Sequence, residues 1–324
     1  MNGLKRSRLL EILDSFKGLR VVVIGDFALD VYWYAEMIRS ELSRETPHYT
    51  RPITRETYSP GASGNICCNV KALGVKDVWA VTVIGEDWRG QILQQELKKN
   101  EIYFEHVIVS PERVTSTYIK PVLCGWDSQQ EDSRLDFVNY NPLPEALEER
   151  LISNIQLVPE VDAVIIEDQM AKNGIITDNV REKLVQLAGE NPQKIFVADS
   201  RARVGLFRNM VLKPNRIEAV RAVSPLRNPQ EVEIEELGRI GADLQKIAGR
   251  PVYITLSERG ALLVTDSALH HLPGAPTKPP IDPVGAGDTF ISAIAATLAG
   301  GANPLEAGIV ANLAAGVVVK KLNI

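Results

Sequence analysis

Asp-Pro-Val-Gly-Ala-Gly-Asp-Thr occupies residues 282–289, and an apolar stretch with helical period follows at once over residues 290–298. Gly285 and Gly287 bracket Ala286, so the backbone can turn tightly there. The N–H groups of Gly285, Ala286 and Gly287 can then converge on one point at the open N-terminal end of a helix. Unpaired donors and the helix dipole favour an anion at such a point. Asp288 stands beside them, and its carboxylate would repel a resident anion. Phosphoryl transfer accounts for both features. The glycine turn holds the migrating group while Asp288 takes the proton from an attacking hydroxyl. A plain glycine loop capping a helix accounts for the same residues equally well, so the motif needs context.

Context comes from the rest of the chain. Apolar runs at 21–24, 163–166, 195–198, 211–212 and 252–256 end in Gly25-Asp26, Glu167-Asp168, Asp199-Ser200, Lys213-Pro214-Asn215 and Ser257-Glu258. Unalternating runs of this length predict strands buried on both faces, as in a parallel sheet. Helical periods lie between them: Ile66, Val70 and Leu73 share a face, as do Leu147, Leu151, Ile152 and Ile155, and again Phe290, Ile294 and Leu298. The alternation predicts an α/β fold with a mostly parallel central sheet flanked by helices. Ligands bind beyond the carboxyl ends of strands in such folds, where the polar residues just named fall. Residues 31–58 and about 103–140 are instead rich in Thr, Tyr, Val, Arg and Glu with partial alternation. They predict a small β-sheet lid over the site, inserted in a single domain spanning 1–324.

Composition narrows the function classes. The chain is 45% hydrophobic and 24% charged, ordinary for a globular protein, and its 324 residues allow ample core. Net charge is −5 with basic residues scattered, which argues against a nucleic-acid partner. No apolar run is long enough to span a membrane. The N-terminal twenty residues read as an amphipathic helix and not a signal peptide. Cys67, Cys68 and Cys124 lack disulfide or metal spacing and read as reduced residues of a cytoplasmic protein. None of the four histidines has metal-ligand spacing.

Four further segments can carry chemistry. Asp26 and Asp30 suit hydrogen bonding to sugar hydroxyls, although Asp26 equally suits a turn cap. Pro60-Gly61-Ala62-Ser63-Gly64-Asn65 lets a ligand approach the backbone, and Asn65 both donates and accepts. Asn215 and Glu218 have capping-box spacing, but in a phosphate site Glu218 can hold Mg²⁺ through water. Thr255-Leu-Ser257-Glu258-Arg-Gly260 makes a turn able to seat a nucleotide, whereas Gly85-Glu-Asp87-Trp-Arg-Gly90 reads as structural.

Together the Gly25-Asp26…Asp30, Gly61…Gly64-Asn65, Gly85…Asp87…Gly90, Asn215…Glu218, Ser257…Gly260 and Gly285-Ala-Gly-Asp288 segments resemble the PfkB, or ribokinase-like, carbohydrate kinase family. Their order and spacing are the family's, over nearly the whole chain. Within it the chain looks most like the kinase half of bacterial heptose-7-phosphate kinases. Asp30-Val-Tyr-Trp-Tyr34, Arg134-Leu-Asp136-Phe137 and the C-terminal stretch from Ala311-Asn312 through Gly316 to Leu322 carry that likeness. The resemblance implies a ribokinase-like fold, ATP as donor, Mg²⁺ as cofactor and Asp288 as catalytic base. It also implies Asn215, Glu218, Ser257, Gly260 and Asn312 around the nucleotide, Asp199 and Lys172 near its phosphates, and Asp30, Gly61 and Asn65 at the sugar.

Two departures bear on the substrate. The family's Asp-Tyr-x-Lys-Gly loop is here Asp168-Gln-Met-Ala-Lys172-Asn-Gly174, with extra residues. Where heptose kinases carry a Lys-x-Arg pair in a lid strand, this chain reads Ile119-Lys120-Pro121. Lys120 and Arg134 are the nearest candidates to hold a substrate phosphate, and Arg134 is preferred. The expected activity is an ATP-dependent sugar kinase acting on a heptose 7-phosphate or another sugar. A catalytically silent sugar- or nucleotide-binding protein is the alternative, which loss of Asp288 or of a turn glycine would have favoured. Exposed lid edges suggest a homodimer.

Overall fold

The computed structural model describes residues 4–157, 160–279 and 281–321. Residues 1–3 of the amphipathic N-terminal stretch and Leu322 of the C-terminal one lie outside these. The strands, in order, are β1 (Arg20–Gly25), β2 (Phe27–Glu36), β3 (Ile53–Ala62), β4 (Asp77–Gly85), β5 (Tyr103–Ser110), β6 (Ser116–Cys124) and β7 (Gln129–Glu131). There follow β8 (Leu135–Phe137), β9 (Ala163–Asp168), β10 (Ile195–Ser200), β11 (Val211–Leu212), β12 (Val252–Thr255), β13 (Ala261–Val264) and β14 (Leu269–Leu272). Helices α1 (Arg6–Ser15), α2 (Ser63–Ala72), α3 (Trp88–Lys99), α4 (Glu145–Leu157) and α5 (Asp178–Glu190) occupy the first part of the chain. The rest holds α6 (Arg216–Val223), α7 (Ile234–Ala248), α8 (Ala286–Ala299) and α9 (Pro304–Val318).

A nine-stranded sheet has the order β14-β13-β12-β11-β10-β9-β1-β4-β5. From β12 through β5 its neighbours run parallel, and β13 and β14 close one edge antiparallel. The run at 21–24 shows why the strand does not alternate. Val21 and Val23 pack into one core with Ile66, Phe290 and Ile294, while Val22 and Ile24 pack into the other with Leu147, Leu151, Val180 and Leu184. Both faces are apolar because helices cover both. Each fully buried aliphatic side chain contributes about 1.5–3 kcal/mol. Helix α8 is buried nearly all round, from Thr289 to Thr297, so its N-terminus is held fixed beside the strand ends. Among the described residues no helix is long and apolar enough to cross a membrane.

The second sheet has the order β3-β2-β6-β7, with β8 also on β6. Its boundaries correct the expectation from sequence. The sheet begins at Phe27, so Asp30 lies within a lid strand and not at a main-sheet strand end. Residues Tyr103–Ser110 belong to the main sheet, where β5 pairs with β4 as an edge strand. An edge strand has one exposed face, so its partial alternation resembles that of a lid strand. Cys67, Cys68 and Cys124 are free thiols, as expected.

Candidate active site

Gly285 adopts φ +74, the left-handed conformation that opens α8, and no side chain caps this N-terminus. The Ala286 N–H is taken by Pro283 O at 3.2 Å. Ala286 therefore closes the turn and does not offer its amide, contrary to the expectation from sequence. Among the described residues the N–H groups of Gly285, Gly287 and Asp288 have no partner. The open set at this helix N-terminus therefore contains Asp288 N–H in place of that of Ala286, a geometry able to face an anion.

Asp288 is held from a second helix. Asn65 in the first turn of α2 donates Nδ2–H to Asp288 Oδ2 at 2.6 Å. Burial pushes the Asp288 carboxyl above the usual carboxylate range, while Asn65 and Lys213 oppose the shift. The chain enters α2 through Ala62 at φ +51, a strained value for a residue with a Cβ and one that sites tend to hold. A methyl in place of a Gly61 hydrogen would lie 2.5 Å from Asp30 Oδ2, so glycine is needed where β3 passes the Asp30 carboxylate. Asn65 thus holds Asp288, and Gly61, four residues before Asn65, packs against Asp30.

On the lid, Lys120 follows the alternation of β6 and shares the face of Tyr118, opposite buried Ile119. Its Nζ donates to the Tyr32 hydroxyl at 3.1 Å and lies 3.8 Å from Asp30 Oδ1. Arg134 lies over the Tyr118 ring at 4.7 Å and donates twice to Asp136, at 2.6 and 2.7 Å. Both cations therefore border Asp30. Burial pushes the Asp30 carboxyl up, and Lys120 and Arg134 counter it.

The ends of β9, β10 and β11 bring up a charged cluster. Glu167 and Asp199 are register partners on adjacent strands, and Lys213 forms a buried ion pair with Asp199. Burial disfavours the Lys213 ammonium, but Asp199, Glu218 and Glu167 more than offset this and raise its pKa. Its Nζ lies 3.6 Å from where a Cβ on Gly287 would stand, so the cation adjoins the open amides. Glu218 is pushed up to about 7 by burial and by Asp199. It also completes a capping box: Asn215 N–H donates to Glu218 Oε2 at 2.7 Å, and Glu218 N–H donates to Asn215 Oδ1 at 2.9 Å. The capping arrangement is therefore present, and it fixes Glu218 beside the cluster.

The sequence places Glu167 and Lys213 at strand ends but assigns neither a role. Their signal was available, because each follows a buried apolar run where only a paired charge would be tolerated. Further along the strand ends, a Cβ on Gly260 would collide with Leu272 O, so its φ of +85 and lack of side chain let the loop approach. Asn312 Nδ2 donates to the same Leu272 O at 3.1 Å. Asn215 bridges to Thr255, two residues before exposed Ser257. Asn215, Ser257, Gly260 and Asn312 thus follow one rim.

Lys172 is placed elsewhere than the sequence suggested, and Asp26 takes the turn-capping one of its two readings. Lys172 does not join the Asp199 cluster; it lines a separate cleft with Asp26, Arg113 and Asn139. Asp26 is the turn anchor, with Met170 N–H and Ile175 N–H donating to its two oxygens at 2.7 and 2.8 Å. Burial raises its pKa to about 6. A raised folded-state value means that the stability it contributes is present below the unfolded pKa and lost as pH rises through 6. Denaturant unfolding should show wild type losing about 3 kcal/mol between pH 4 and 7 relative to the pH dependence of Asp26→Asn, about two pKa units' worth. Parallel pH profiles for the two proteins would remove this account of Asp26.

A hard cation fits the cluster through water better than through a protein cage. Among the described residues no three acidic, His or Cys groups are placed to hold a metal directly. Yet among the described residues Glu167 Oε2 is buried without a partner, Asp199 lies beside it, and Glu218 lies beside Asp199. Oxygen donors with water between them and the ion suit Mg²⁺.

Residues 19–323 match the pfkB family carbohydrate kinase pattern. "Bifunctional protein HldE" of Paramagnetospirillum magneticum is 28% identical over 98% of this chain and 63% of its own length. The protein of that name from Bradyrhizobium sp. is 30% identical over 93% of this chain and 60% of its own. The chain thus spans somewhat less than two thirds of the length of these curated relatives. Among solved structures, phosphofructokinase-2 from Escherichia coli in complex with fructose-6-phosphate superposes with TM-score 0.71 at 18% identity, over 93% of this chain and 94% of the other. Arabidopsis thaliana ribokinase complexed with ribose and ATP gives 0.66 at 20% identity, covering 94% of each chain. The fold is the ribokinase-like one, and the chain belongs to the pfkB family of carbohydrate kinases, phosphotransferases with an alcohol acceptor.

Proposed function

We propose that the chain transfers the γ-phosphoryl group of ATP to a hydroxyl of a sugar that already carries a phosphate, a heptose 7-phosphate foremost. The observation that carries this reading is the buried Asp288, fixed by Asn65 at an uncapped helix N-terminus and joined through Gly61 to the Asp30–Lys120 face of the lid. The Asp30 carboxylate accepts hydrogen bonds from the acceptor's hydroxyls. Asp288 takes the proton of the attacking hydroxyl. The Gly287 and Asp288 N–H groups, with Lys213, meet the charge on the transferred group. The lid excludes water that would compete as nucleophile. Mg²⁺, held through water by Glu218 with Asp199 and Glu167 close by, would neutralise the phosphate oxygens of the donor.

The heptose assignment rests on the Asp30–Tyr34 and Arg134–Phe137 likenesses and on similarity to proteins named HldE. Lys120 and Arg134 supply two cations at the acceptor face, in place of the expected Lys-x-Arg pair. Strand β3 pairs on one side only among the described residues, and a second copy covering that edge would make a homodimer. An ATP-consumption screen against sugars and sugar phosphates tests the proposal. Arg134→Ala should raise KM for the phosphorylated acceptor about tenfold, or about 1.4 kcal/mol of binding. A wild-type preference for the unphosphorylated sugar would remove the sugar-phosphate reading.

A further inference from the structure

At the base of the lid lies a narrow cleft lined by Asp26, Arg113, Ser116, Asn139, Lys172 and Gly174 among others. Arg113, between β5 and β6, is only 6% exposed. Its partners are main-chain carbonyls: Asn141 O at 3.1 Å and Asn173 O at 2.6 Å. Its Nε is buried with no partner among the described residues. A buried guanidinium without a hydrogen-bonded carboxylate is costly, and the orphaned donor sharpens the question of what completes it. Asp26 is the one acid lining the cleft, and both its oxygens are occupied by the 170–175 loop. Exposed Lys172 brings a second cation to the mouth and Ser116 a hydroxyl, while the Asn139 amide is held by the Val114 backbone. None of this is used by the phosphoryl-transfer machinery at Asp288.

We propose that this cleft binds a small oxyanion, a phosphate group, between Arg113 and Lys172. The geometry favours an oxyanion because a planar guanidinium whose Nε–H still lacks a partner among the described residues pairs best with phosphate or carboxylate oxygens. The site sits where the lid joins the main sheet. Arg113, Ser116 and Asn139 flank lid strands β6 and β8, whereas Lys172 and Gly174 follow β9. An anion bound there bridges the two sheets at the hinge. The group is either the tail of the sugar-phosphate acceptor, which rests on the reading above, or a free anion acting on lid position, which does not.

Inorganic phosphate is the probe, titrated calorimetrically into the full chain without turnover. Wild type should bind it, and Lys172→Ala should weaken binding several-fold. Arg113→Gln should weaken it at least tenfold; Arg113→Lys, which keeps the charge, shows whether any loss reflects misfolding. Absent binding in wild type, or unchanged affinity in Lys172→Ala and in a folded Arg113→Gln, overturns the site. Initial rates then separate the sources. Phosphate inhibition competitive with the acceptor identifies the acceptor's tail and moves its phosphate from Arg134 to Arg113. Inhibition or activation not competitive with the acceptor identifies a free anion at the hinge. Failure to phosphorylate any sugar would sink the proposed function but leave the calorimetric result standing.

Discussion

Asp288→Asn is expected to lower kcat by at least ~10²-fold while leaving the fold and ATP binding in place, the lower range for loss of a positioned general base. Asparagine keeps the size of the side chain and a carbonyl oxygen that can still accept from Asn65 Nδ2, now bonded to Asp288 Oδ2 at 2.6 Å. What it cannot do is take a proton. The pH profile makes the assignment specific. Burial holds the Asp288 carboxyl above the usual carboxylate range, so the acid limb of kcat/KM in wild type should lie above the pH where an exposed aspartate titrates. That limb should vanish from the residual activity of the variant. A variant turning over within a few-fold of wild type, or keeping the same acid limb, would show that the base is another group among the buried acids near Asp288, such as Asp199 or Glu167.

Much of this arrangement was legible in the sequence, for identifiable reasons. The main-sheet strands announce themselves because burial on both faces forbids alternation, as at Val21–Ile24. Asp288, Asn65 and Gly61 stood out because each sits beside a glycine turn or at a helix start, where local chemistry leaves a mark, whereas Asp30 lies mid-strand and stood out only as a second carboxylate near Asp26. What failed was anything set by pairing across the chain. Whether Tyr103–Ser110 joins the main sheet or the lid depends on which neighbour it finds, and an edge strand and a lid strand have the same one-sided pattern. Lys172 has no local signal for its cleft, because the 170–175 loop is fixed by two N–H groups reaching Asp26, far away in sequence. The pairing of Lys213 with Asp199 likewise joins two strand ends that only the sheet order brings together.

Gly287→Val is expected to lower kcat about 10²–10³-fold, the typical cost of losing one preorganised donor to the transferred group. The choice of Gly287 over Gly285 follows from their backbones. Gly285 stands at φ +74, so any side chain there strains the turn and confounds activity with folding. Gly287 lies inside the first turn of α8, is not among the residues at positive φ, and accepts an L side chain without backbone cost. Its first carbon would rest 3.6 Å from Lys213 Nζ, an ordinary contact. Gly287→Ala should therefore stay within about tenfold of wild type, since the anion pocket keeps most of its room. The two extra methyls of valine extend from that point toward Lys213 and the space in front of the Gly287 and Asp288 amides, where the donated group must sit. Tm should fall little in either variant, because alanine and valine are both better helix formers than the glycine they replace. Activity should thus drop steeply from alanine to valine while stability does not. Equal kcat for the two variants would mean that the open amides beside Lys213 do not receive the phosphoryl group.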